Sequence, residues 1–149
     1  MRIALVCPYA WEAAGGVQVH VRSLAARLRD RGHDATVVTP AGIPPAEPWV
    51  RAVGRPLRVP YRGTVAPIAP QSFLRTRDVL AALRPDVVHV HEPLTPSASM
   101  FAALASSAPV VATVHAYLDR SRAMELSAPL LRRVWAKVAI GVAVSEASA

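Results

Sequence analysis

Two adjacent glycines, Gly15 and Gly16, close the run Pro8-Tyr9-Ala10-Trp11-Glu12-Ala13-Ala14-Gly15-Gly16, just where an apolar segment gives way to an amphipathic one beginning Val17-Gln18. Without Cβ atoms they let backbone amides approach an anion, and the free N–H groups and dipole of a helix start attract negative charge. The chemistry such a turn supports is the holding of a phosphate or diphosphate; the same pair also suits a plain tight turn. Its spacing is neither G-x-G-x-x-G nor G-x-x-x-x-G-K-[ST], which argues against an NAD-dependent oxidoreductase and a P-loop enzyme. His115 directly follows the apolar run Val110 to Val114 and should emerge at the same edge of a sheet as Gly16. His89 and His91 lie two apart on one strand face and invite a metal reading. A zinc site needs three or four ligands, however, and Cys7 is the only thiol. His89 therefore reads as a core residue, Glu92-Pro93 as a strand-end turn lining a cleft, and no metal is expected. Neither a carboxylate pair of the kind that cleaves glycosidic bonds nor a G-x-S-x-G elbow stands out, so a hydrolase has no nucleophile here.

The elements that must position these groups alternate in type. Arg2 to Cys7 reads as a buried strand closed by Pro8, and a helix follows from about Val17 to Arg31 with Val17, Val21, Leu24 and Leu28 on one face and Gly32 as its stop. Asp34 to Thr39 is a second strand. Pro40 to Arg58 holds too many breakers for more than a short edge strand near Arg58, and Pro60 to Pro70 reads as irregular. A helix from Gln71 to Leu83, a strand from Asp86 to Val90, a helix from Ser97 to Ser106 and the strand Val110 to Val114 come next. From Arg120 to Lys137 the pattern is helical, with Pro129 starting a second helix or kinking the first. Ile140 to Val144 is the last strand, and Ser145 caps a helix that has barely begun when the chain stops, which predicts a fragment of something longer. Strands alternating with helices imply an α/β fold: an open, Rossmann-like parallel sheet with helices on both faces.

Bulk composition sets the outer limits. A chain of 149 residues, 52% hydrophobic and 18% charged, fits one globular domain. Seventeen basic against ten acidic residues give a net charge of +7, and Lys137 is the sole lysine. Such a balance favours anionic partners, whether nucleic acid, a nucleotide diphosphate or an acidic membrane surface. Basic runs interleaved with aromatics are missing, so nucleic acid is not expected. One cysteine cannot form an internal disulfide, and a reducing cytosol is the simplest compartment. Neither a signal peptide nor a run of about 20 apolar residues is present, which reads as soluble or peripheral rather than integral.

Several motifs fall in order across nearly the whole chain: Met1-Arg2-Ile3, Val6-Cys7-Pro8-Tyr9, Gly15 to Gln18 with His20, Gly32-His33, Pro60-Tyr61, Gly63, Val65-Ala66, His89, His91-Glu92-Pro93, and Ala112-Thr113 with His115. Together they resemble the family 4 retaining glycosyltransferases of GT-B fold, and within them most closely the bacterial phosphatidylinositol mannosyltransferases. The resemblance implies the amino-terminal, acceptor-side half of such an enzyme, with the donor-binding half absent and the fragment alone inactive. It implies transfer of a sugar, mannose from GDP-mannose, to a lipid-linked or small polyol acceptor such as phosphatidylinositol, without a metal or other cofactor.

On that reading Gly15 and Gly16 approach the donor diphosphate, and His115 contacts the donor sugar as the catalytic residue. Tyr9 and Gln18 help form the acceptor cleft, although Tyr9 also suits a cap on the sheet end and Gln18 a solvated helix turn. Pro60 to Ala66 would meet the inositol phosphate, with Tyr61, Arg62 and Thr64 as acceptor contacts. Here the chain departs from the pattern: Arg62 stands where asparagine is usual, Thr64 where serine is usual, and Pro67 where a phosphate-binding arginine would be. Either Arg62 replaces the lost cation or the acceptor differs. The helix Gln71 to Leu83 corresponds to a basic, membrane-holding face in relatives; here it carries Arg75, Arg77 and Arg84, of which Arg77 and Arg84 share a face, and a solvated surface fits it as well.

Overall fold

A computed structural model describes residues 1–61, 64–115 and 127–144. Twelve elements run β1 (Arg2–Val6), α1 (Gly16–Asp30), β2 (Asp34–Thr39), β3 (Val50–Ala52), β4 (Leu57–Tyr61), β5 (Thr64–Ile68), α2 (Phe73–Leu83), β6 (Val87–His91), α3 (Ala98–Ala105), β7 (Val110–Val114), α4 (Ala128–Trp135) and β8 (Val138–Ala143). Six strands form one parallel sheet in the order β3-β2-β1-β6-β7-β8. The order reverses between β1 and β6, and in open α/β sheets the crevice outside the carboxyl ends at that point is where ligands bind.

Both faces of the sheet are covered. On one, Ala4, Val6, Val38, Val88, Val90, Val110 and Ala112 pack against Leu80 of α2, Ala98 and Ala102 of α3, and Val134 of α4. On the other, Leu5, Cys7 and Val37 pack against Val21 and Ala25 of α1. Each fully buried valine or leucine contributes roughly 1.5–3 kcal/mol, so the near-continuous apolar strands fix the layer order. Helix α1 stops as expected: Gly32 takes φ +80°, its N–H donates to the Arg29 carbonyl, and the His33 N–H donates to Leu28 O at 3.0 Å. That paired closure is the Schellman arrangement, and it turns the chain directly into β2.

The stretch expected to be irregular is instead a hairpin. β4 and β5 pair antiparallel from Leu57 opposite Ile68 to Tyr61 opposite Thr64, in a two-stranded sheet where every strand is an edge and so tolerates Pro60 and Pro67. β3 is a second strand that the prolines around it hid; it pairs with β2. Pro129 sits in the first turn of α4, where its missing N–H costs nothing. The helical pattern expected before Ser127 and the cap expected at Ser145 lie outside the described residues. Among the described residues no helix is long and apolar enough to cross a membrane.

Candidate functional site

Loop 8–15 after β1 is held from several directions. Ser97 donates its hydroxyl to Pro8 O at 2.7 Å, Thr39 donates its hydroxyl to Tyr9 O at 2.9 Å, and the Ala10 N–H donates to Pro67 O at 2.8 Å. Tyr9 also forms an isolated antiparallel bridge with Ile68, so the base of the hairpin is pinned to the loop. Tyr9 is half-buried against the α1-side core. Trp11 is buried; its indole N–H lies 3.2 Å from the Glu47 carboxylate, and the Arg22 guanidinium covers its ring at 4.1 Å while pairing with Glu47 at 3.0 Å. Nothing in the spacing of Trp11, Arg22 and Glu47 singles them out in the sequence; together they clamp the loop to α1.

At the end of that loop the two glycines differ. Gly15 is the N-cap of α1, and a Cβ there would collide with the Gln18 side chain, which folds back to donate from Nε2 to Ala10 O at 3.2 Å. Gln18 is thus buried and engaged with the loop, not solvated. Gly16 begins the helix, is exposed, and has no atom within 4 Å of where a Cβ would stand. No side chain caps α1 and its first turn carries no acidic residue, so no side chain of the helix offsets the positive end of its dipole.

His115 leaves β7 at the same edge. Its backbone N–H donates to Glu92 Oε1 at 2.5 Å, and Glu92 is buried at the end of β6 with φ +52°. Glu92 is fixed in turn by its own N–H donating to Thr113 O at 2.8 Å and its carbonyl accepting the Thr95 N–H at 3.0 Å. Glu92, expected to line the cleft, therefore supports the chain under His115.

Around His115 the structure assembles a group that the sequence showed only in part. His91 Nδ1 and His115 Nε2 share a hydrogen bond at 2.9 Å. His20, one turn beyond Gly16, places its ring centroid 5.0 Å from that of His115 and 5.4 Å from that of His91. His89 stacks on His91 at 4.4 Å, with Nε2 hydrogen-bonded to Thr113 Oγ1 at 2.7 Å. On α1, His20 and Arg22 flank the buried Val21, so one turns toward β6 and β7 and the other toward Trp11. His20 belongs to the motif that runs on from Gly15 to Gln18, and that motif by itself assigns it no role. Its position four residues after Gly16, on a helix starting at the carboxyl edge, was the available signal.

Burial pushes His89 down to about 4 and His91 to about 2, with the neighbouring imidazoles adding to the effect, and it lowers His115 as well, helped by His20. A packed set of imidazoles in a half-dry edge cannot all be charged, so His89, His91 and His115 are neutral near pH 7. A neutral imidazole both donates and accepts, the pattern a hydroxyl needs.

Tyr61 and Thr64 form the last pair of the hairpin, at the opposite end from the Tyr9 bridge, and Arg62 lies outside the described residues. Arg77 and Arg84 line one surface cavity of about 340 Å³ together with Arg2, at the amino-terminal edge of the sheet and so away from His115; Arg75 is exposed and Arg77 pairs with Asp78 at 2.8 Å.

Comparison with known proteins bears on this arrangement. A model of "Glycosyltransferase Family 4" matches residues 14–149. The phosphatidyl-myo-inositol mannosyltransferase of Mycolicibacterium smegmatis is 38% identical over 149 residues, covering 98% of this chain and 39% of the relative. That of Propionibacterium freudenreichii is 34% identical over 161 residues, covering 100% of this chain and 42% of the relative. The chain thus spans about two fifths of the length of these curated relatives. Acinetobacter baumannii MurG superposes with a TM-score of 0.61 at 13% identity over 99% of this chain and 43% of that structure, which speaks to the fold alone.

Proposed function

The chain belongs to glycosyltransferase family 4, and from that membership we propose that it is the amino-terminal, acceptor-side half of an enzyme that moves a sugar from a nucleotide donor to a lipid-linked or polyol acceptor. The observation that carries this reading is the meeting of an uncapped helix start at Gly16 with a neutral His115 at one rim of the sheet switch point. Amides at Gly16 are suited to the departing diphosphate, and His115 to a hydroxyl of the donor sugar; positioning and charge stabilisation then supply most of the rate. The name of the relatives, phosphatidyl-myo-inositol mannosyltransferase, supports mannose as the sugar and phosphatidylinositol as the acceptor, and GDP-mannose as the donor is part of the proposal. Tyr9, Gln18, Tyr61, Arg62 and Thr64 are the proposed acceptor side, without a metal requirement for transfer. Peripheral contact with an anionic membrane through Arg75, Arg77 and Arg84 is part of the same proposal, supported by the exposed Phe73 and Leu74 at the start of the helix bearing Arg75 and Arg77.

The test joins this chain to a donor-binding half and supplies labelled GDP-mannose with phosphatidylinositol vesicles. Labelled glycolipid that is lost on His115→Ala is the expected result, and the 149 residues alone should give none. Binding of inositol phosphate with no turnover from any nucleotide sugar would replace the proposal with a non-catalytic anion-binding module.

A further inference from the structure

His20, His91 and His115 come from α1, β6 and the end of β7, and one ring nitrogen of each lies within 4.8 Å of the other two. His91 is completely buried, yet its Nε2 has no hydrogen-bond partner among the described residues. An orphaned nitrogen at that depth is costly unless something binds it. From these facts we propose that His20, His91 and His115 form a binding site for a first-row transition-metal dication, Zn²⁺ being the best match.

The geometry needs little adjustment. Zinc–nitrogen bonds of about 2.0–2.1 Å in a tetrahedron place ligand atoms about 3.3 Å apart. A ring nitrogen of each residue already lies within 4.8 Å of the others, so the contraction needed is at most about 1.5 Å, and it falls on His20, an exposed side chain free to change rotamer. His89 is not a ligand in this arrangement. Stacked behind His91 and held by Thr113, it fixes the ring's orientation, as groups behind metal ligands commonly do. Three imidazoles suit Zn²⁺, Co²⁺, Ni²⁺ or Cu²⁺ and give no purchase to Mg²⁺ or Ca²⁺, which take oxygen ligands. The fourth position stays open to water. Occupancy would take His115 away from the donor sugar, so metal and nucleotide sugar exclude one another; that consequence rests on the transferase reading, whereas the binding itself does not.

The experiment titrates the 149-residue chain with Co²⁺, followed by its visible d–d absorption, and with Zn²⁺ by calorimetry, Mg²⁺ serving as comparison. His33, at the far end of β2, supplies the control variant. One ion per chain is expected, with His20→Gln and His115→Gln each weakening it about tenfold or more and His33→Gln leaving it unchanged. His20 is exposed, so its variant tests the idea even where His91→Gln fails to fold. Absence of Zn²⁺ and Co²⁺ binding, equal binding of Mg²⁺, or His20→Gln and His115→Gln chains that titrate like the parent would each overturn the site. In the joined enzyme, Zn²⁺ inhibition relieved by raising nucleotide sugar and by EDTA is expected; inhibition indifferent to sugar concentration overturns the exclusion but not the site, and an enzyme without transfer under any condition overturns the transferase reading alone.

Discussion

Glu92 is the residue on which the position of His115 turns. It sits at φ +52°, a left-handed conformation that costs a non-glycine residue roughly 1–2 kcal/mol, and its buried Oε1 accepts the His115 N–H at 2.5 Å. Replacing it by alanine keeps the backbone cost and leaves that N–H without its acceptor, a loss of about 1–3 kcal/mol for a buried donor left unsatisfied. Glutamine keeps an oxygen in place and should lose only about 1 kcal/mol. Glycine loses the bond but relieves the backbone by about 1 kcal/mol or more. The expected order of stability in urea unfolding of the chain is therefore parent, Glu92→Gln, Glu92→Gly, Glu92→Ala, with the last displaced by about 1 M in midpoint at a slope of about 2 kcal/mol/M. In an enzyme joined to a donor-binding half, kcat should fall at least about tenfold in Glu92→Ala, because a displacement near 1 Å is enough for that. An alanine variant as stable as the glutamine one, or with unchanged kcat, would refute the assignment.

Three further outcomes follow from the same geometry. Gly16→Ala meets no atom and should leave the urea midpoint of the chain unchanged or higher while raising KM for the nucleotide sugar in the joined enzyme; Gly15→Ala, by displacing Gln18 from Ala10 O, should lower the midpoint. Burial pushes the Cys7 thiol to about 12, so a thiol reagent at pH 8 should label the chain only after unfolding, and rapid native labelling would contradict its place in the core. Unfolded histidines take up protons near pH 6.5, whereas folded His89 does so near 4 and His91 near 2. Below pH 6.5 the unfolded state thus binds more protons, and stability measured in EDTA should be flat above about pH 7 and fall by about 2.7 kcal/mol per pH unit for the two groups between about pH 6 and 4.5; a midpoint constant over that interval would show that these imidazoles are not buried neutral.

Local signals were readable wherever one physical effect dominated. β2 and β7 match their apolar β-branched runs residue for residue, Gly32 ends α1 because only a left-handed residue closes that turn, and Pro129 opens α4. The hairpin was not readable, since Pro60 and Pro67 forbid a strand in a wide sheet but not in a ladder made of two edges. The site was readable by edge but not by membership. Gly16 and His115 both declare themselves as residues at strand carboxyl ends. His20 and His91 join them only because the order β3-β2-β1-β6-β7-β8 lays the start of α1 beside β6 and β7, and no spacing between residues 20, 91 and 115 encodes that order.

The division of charge at the rim explains why these two parts belong together. Burial and the neighbouring imidazole rings exclude protonation of His89 and His91, so these two contribute no fixed positive charge where an anion would sit. On the proposed function, the attraction for an anion would come instead from the amides at Gly16, which need no proton and do not titrate. A site built this way separates the two demands of sugar transfer. On the proposed function, charge would be met by the backbone at the helix start, and hydroxyl recognition by a neutral ring whose backbone is tied to the buried Glu92 side chain. The same neutrality leaves the imidazole lone pairs available to a soft dication, so the proposed metal site and the proposed sugar contact arise from one physical cause: burial of histidines at the switch point of the sheet.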